Sequence, residues 1–127
     1  MEEGGRVSKE RQVLNEWVRN YVDPMFKVDW GKIKLSKANT REHNMRVCEI
    51  CCTLIEHGIP FATEVRLNCG ARPDIICPTH VQPIIEVLHS ETKEDFGRLK
   101  ANKYPPELQG CWILHYTSEE YNERVIF

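Results

Sequence analysis

The chain has 127 residues, room for one domain and not comfortably two. Hydrophobic residues make up 41% and charged residues 28%, as in an ordinary globular protein, and a net charge of −2 excludes a chain that is basic throughout. No apolar run reaches the roughly 18 residues of a membrane-spanning helix, and the polar start MEEGGRVSKERQ lacks the apolar stretch of a signal peptide. A cytoplasmic protein with no membrane segment is therefore expected.

Disorder is expected over residues 1–8. From Ser8 or Lys9 to Val22, the apolar residues Val13, Leu14, Trp17, Val18, Tyr21 and Val22 recur at helical spacing, and Asp23-Pro24 ends the helix. Residues 25–38 predict a short strand or an irregular arm. The amphipathic helix and this arm form an N-terminal extension, residues 1–38, ahead of a core domain at 39–127. Asn39 with Glu42 three residues later reads as a capping box, opening a helix that runs to His57 and stops at Gly58. Alternation predicts a strand from Phe61 to Leu67, with Phe61, Thr63, Val65 and Leu67 facing one way. The turn Asn68-Cys69-Gly70 leads to a second strand, Arg72 to Cys77, and a third, Pro83 to His89. Ser90 is expected to cap a helix through Lys103, stopped by Pro105-Pro106. A fourth strand, Gly110 to Tyr116, and a tail with a helical turn and an edge strand complete the chain.

Two sets of residues suggest chemistry on composition alone. Between Lys27 and Arg46 the chain carries Lys27, Lys32, Lys34, Lys37, Arg41 and Arg46 against Asp29 and Glu42. It is the one locally basic stretch, suited either to solvent or to a phosphate backbone. Six cysteines lack the secretory context of a disulfide framework. Cys48-x-x-Cys51 and Cys77-x-x-His80 raise structural zinc, but no second Cys-x-x-Cys pair follows at finger spacing.

The third strand poses a sharper question. Ile84, Glu86 and Leu88 share one face and Ile85, Val87 and His89 the other, so a carboxylate interrupts a run that should bury hydrocarbon. Glu86 must pair with a cation such as Arg66 or Arg72, face solvent, or line a cleft. Asp74, which alone reads as a turn residue after Pro73, opens the preceding strand. If the two strands are neighbours both acids converge, and each raises the other's pKa unless a cation joins them. Magnesium suits such a pair, since it takes one or two carboxylates and keeps its other positions for water and phosphate.

Pro73-Asp74, followed by Glu86 on the next apolar strand, within helix–three strands–helix–strand over residues 40–116, resembles the PD-(D/E)XK nuclease superfamily. The nearest look is to small archaeal and phage Holliday-junction resolvases and RecB-like nucleases. The resemblance implies an α/β, restriction-endonuclease-like core, a mixed sheet flanked by helices, with the N-terminal helix added. It further implies a metal-dependent endonuclease that hydrolyses DNA phosphodiester bonds, branched DNA among its candidate substrates, working as a homodimer in a viral or archaeal setting. Asp74, Glu86 and the Val87 carbonyl would hold Mg2+ or Mn2+, and Lys32, Lys34, Lys37, Arg41 and Arg46 would contact DNA. The family's lysine two residues after the Glu is missing, because Leu88 stands there. Lys93, in the first turn of the next helix, is the candidate replacement; His89 points to the wrong face. Glu49 is the candidate for a further acid from the first core helix, with Glu42 and Glu64 behind it. Two rival readings follow from Leu88 and from the cysteines: a nuclease fold that no longer cuts and serves as a nucleic-acid-binding or assembly module, and a zinc-binding interaction protein.

Overall fold

The computed structural model describes residues 8–126. The expectation for residues 1–7, and the last residue of the expected tail, lie outside them. Helix α1 spans Lys9–Tyr21, and Ser8 caps it by accepting from the Arg11 N–H at 3.1 Å. The 25–38 segment is an irregular arm with no strand in it. Helix α2 spans Arg41–Glu56, capped by Thr40 and not by Asn39: the Thr40 hydroxyl accepts from the His43 N–H at 3.1 Å. The chain leaves α2 through Gly58 at φ +67, a left-handed position that glycine takes at no steric cost.

Four strands follow: β1 (Ala62–Thr63), β2 (Ile75–Ile76), β3 (Ile84–Leu88) and β4 (Trp112–Tyr116). They lie side by side in the order β1-β2-β3-β4, the first two pairings antiparallel and β3–β4 parallel. The parallel pair needs a crossover, and helix α3 (Lys93–Leu99) with 3₁₀ turns at Ala101–Lys103 and Pro106–Leu108 provides it. The fold is thus a mixed α/β sheet carrying three helices.

β1 stops short because Glu64 adopts φ +55. A left-handed residue breaks the alternation, so Phe61 packs on one side of the sheet while Val65 and Leu67 pack on the other. The expectation that these three share a face is corrected by that one residue. α3 likewise starts later than expected. Thr92 caps it and closes a capping box with Asp95, leaving Ser90 outside. The tail has a 3₁₀ turn at Glu123–Val125 and no edge strand among the described residues.

Two cores sandwich the sheet. Val47, Ile50, Cys51 and Leu54 of α2 pack on Phe61, Ile75, Ile85 and Val87. On the other face Trp17 of α1 and Phe96 of α3, with Tyr104 and Leu108, belong to a cluster with Ala62, Ile76, Ile84 and Leu88. β3, the longest strand flanked on both sides, is buried at all five positions. The exposed edge of β1 is not left bare. Gly31 N–H donates to Phe61 O at 2.7 Å, and the Thr63 hydroxyl accepts from Lys34 N–H at 2.7 Å and donates to Lys32 O at 3.2 Å. The irregular arm therefore lies along β1.

Arg46 belongs to the buried face of α2 and is only 7% exposed. It donates to His115 Nδ1 at 2.9 Å, Tyr116 O at 2.8 Å, Glu119 O at 2.6 Å and Glu49 Oε1 at 3.0 Å. Its charge fastens the segment after β4 to α2, so the expected role of Arg46 on DNA is corrected: the guanidinium is spent inside the protein. Arg46→Ala should cost about 3–5 kcal/mol in urea unfolding, the usual consequence of removing one partner of a buried charged network.

Candidate functional site

β2 and β3 pair Ile75 with Ile85. The next position outward sets Asp74 opposite Glu86, which is why twelve residues of sequence bring the two acids together. β1 and β2 pair Thr63 with Ile75, so the same row continues to Glu64, whose N–H donates to Asp74 O at 3.2 Å. Three acids therefore lie in one row across the sheet. Like charges directly across a ladder repel, so the row needs compensation.

The compensation is uneven. Asp74 is well served: its Oδ2 accepts from the Val87 N–H at 2.8 Å and its Oδ1 lies 3.1 Å from His43 Nε2. Burial, the largest influence on His43, pulls its pKa down, but the hydrogen bond and charge of Asp74 outweigh it and the net direction is up. Glu64 is raised by burial and then by Asp74. Glu86 is the extreme case, only 3% exposed. Burial, and after it the charge of Asp74, push its pKa up to about 8, against the opposing pull of a 2.6 Å hydrogen bond from the Tyr104 hydroxyl. At neutral pH the buried pair holds a proton where an ordinary glutamate would have lost it.

The lysine beside Glu86 is Lys100, not Lys93. Lys100 lines a cavity of about 180 Å3 together with Glu86, Tyr104, Arg72 and Lys103. Its Nζ is bonded to both Glu91 oxygens, at 3.1 and 2.9 Å. Burial lowers its pKa, but Glu91 and then the charges of Glu86 and Asp74 give a net rise. Lys93 instead lines a depression with Trp112, Leu114 and Tyr116. Leu88, where the resemblance calls for a lysine, is fully buried in the core.

No family model, curated protein or solved structure matches this chain.

The other expected site residues fall as follows. Glu49 is about half exposed and bonded to Arg46, and neither Asp74 nor Glu86 is among its partners. The helix position that does face Asp74 holds His43. Val87 enters the site through its N–H. Lys32, Lys37 and Arg41 are exposed, while Lys34 is 2.7 Å from Asp29. Lys100, Tyr104 and His43 were missed. Lys100 stands at helical spacing like any surface lysine, and only the position of α3 over β3 singles it out. The zinc pairs do not assemble. Burial pushes the Cys51 and Cys77 thiols up to about 12, away from the thiolate that binds zinc, and Cys77 Sγ donates to Gln82 O. Among the described residues no group of three or more His, Cys, Asp or Glu is arranged to hold a metal ion, and no helix is long and apolar enough to cross a membrane.

Proposed function

We propose that the protein is a metal-dependent nuclease that hydrolyses DNA phosphodiester bonds at Asp74 and Glu86. The observation that carries the reading is a buried glutamate set directly against an aspartate, its pKa pushed up to about 8, at the wall of a cavity that also holds a lysine. A carboxylate pair left short of positive charge fits a hard divalent cation, and Mg2+ asks for no more than one or two protein carboxylates. Asp74 and Glu86 would hold the ion. A bound Mg2+ or Mn2+ would supply an activated water and offset charge on the scissile phosphate.

The chain's own residues do the remaining work. His43 and the Val87 N–H fix the Asp74 carboxylate from two sides. The Tyr104 hydroxyl fixes Glu86 Oε2. Lys100 lines the same cavity and would orient water and steady developing negative charge. Arg72 and Lys103 bring positive charge to the cavity wall, where a phosphate would enter.

The test is cleavage of labelled single-stranded, duplex and branched DNA in Mg2+ or Mn2+. Wild-type protein should cut, EDTA should stop it, and Asp74→Ala and Glu86→Ala should each abolish cutting. Cleavage that persists in both variants, or none in either metal, defeats the proposal. Lys100→Met should slow cutting by roughly 10²- to 10³-fold, as expected for loss of one transition-state donor, whereas Lys93→Met should stay within a factor of two or so. The reverse ranking would return the role to Lys93.

A further inference from the structure

Three features of the cavity wall bear on what can reach the acids. First, they are recessed: Glu86 is 3% exposed and the Asp74 side chain 14%. Secondly, the cavity over Glu86 is about 180 Å3, below the roughly 300–1,000 Å3 of pockets that enclose a whole drug-sized ligand. It has room for a group such as a phosphodiester and not for a nucleotide with its paired base. Thirdly, its rim is cationic. Arg72 comes from the turn before β2, and Lys100 and Lys103 come from the end of α3 and the turn after it, with Glu86 on the same wall.

These features discriminate between nucleic-acid shapes. In a duplex each phosphate is fixed on the surface of a stiff rod, and the groups that reach it must stand proud of the protein. A single strand is flexible and can bend one phosphate inwards while its neighbours stay on a basic rim. Resting on the nuclease reading of this site, we infer that the substrate is single-stranded DNA, one phosphate of which enters the cavity between Arg72, Lys100 and Lys103. The exposed Arg72 and Lys103 grip the flanking phosphates. Branched or gapped DNA would be taken only through its unpaired segment.

The test separates binding from cutting. A fluorescein-labelled single strand of about 12 nucleotides and the same sequence closed into a hairpin duplex are titrated in EDTA and followed by anisotropy. Wild-type protein should bind the single strand at least about tenfold tighter. Lys103→Ala should weaken that binding several-fold and lower the salt slope by about 0.7, the value for one phosphate contact on a single strand. Equal or tighter binding of the duplex, or a Lys103→Ala protein indistinguishable from wild type, overturns the inference. Cleavage with Mn2+ is run in parallel. If both DNAs are cut equally fast and Asp74→Ala stops both, the single-strand assignment fails while the nuclease stands. If the single strand binds as described but nothing is cut, the nuclease reading fails while the cavity remains a single-strand site.

Discussion

Glu86→Gln should unfold at a temperature roughly 15–25 °C above the wild type at pH 8.5, and the difference should shrink to a few degrees near pH 5. The direction follows from linkage. The unfolded chain releases the Glu86 proton near pH 4.5, whereas the folded protein keeps it until about pH 8. Between these values the unfolded state binds fewer protons, so stability falls as pH rises. Below pH 4.5 both states are protonated and nothing is lost; above about pH 8 the loss is complete and constant. At about 1.4 kcal/mol per unit the gap amounts to roughly 5 kcal/mol, and for a domain of this size each kcal/mol is worth roughly 3–5 °C. Glutamine keeps an oxygen for the Tyr104 hydroxyl and never ionises, so it escapes the penalty. Thermal unfolding of the two proteins from pH 5 to 9 decides the matter, and parallel pH curves would show that Glu86 titrates normally. Added Mg2+ should raise the wild-type melting temperature at pH 8.5 and leave Glu86→Gln unchanged, since only the charged pair has reason to bind it.

The second large effect concerns Leu88, where the resemblance to PD-(D/E)XK nucleases would call for a lysine. Leu88→Lys should cost about 3–5 kcal/mol and should not raise cleavage. Leu88 is fully buried in the cluster with Ile84, Phe96 and Trp17. An ammonium placed there has lost its water and gains no partner. Leu88→Met, which keeps the volume, should cost less than about 1.5 kcal/mol. Urea unfolding of the three proteins gives the ranking. A Leu88→Lys protein as stable as wild type would mean that the strand end is open to the cavity after all. Lys100, just past the end of α3, lines the same cavity as Glu86.

The order of elements and both central acids were legible in the sequence because they rest on local signals. A carboxylate inside Ile-Ile-Glu-Val-Leu is conspicuous at period two, and Asp74 follows a proline at a strand start. Three things were not. Glu64 looks like an ordinary outward residue of an alternating strand, and nothing local announces that its backbone turns left-handed. Lys100 becomes special only through the crossover that lays α3 over β3, a long-range event without a sequence period. Arg46 is different, because its signal was present: His43, Arg46, Val47, Ile50 and Leu54 sit on one helical stripe. Val47, Ile50 and Leu54 mark that stripe as the core face, and Arg46 shares it. His43 lies on that stripe as well, and so could have been preferred to the more exposed Glu49 as the helix's contribution to the acids.

The arm along β1 has a consequence for how the molecule behaves in company. A two-residue border strand would ordinarily offer its free N–H and C=O groups to any extended peptide drifting past, the first step towards fibrils. Here Phe61 O and the Thr63 hydroxyl are already taken by Gly31, Lys32 and Lys34 of the same chain. Lys32 adds positive charge along that border. At high concentration, a neighbouring molecule therefore meets a capped and charged margin there instead of a template.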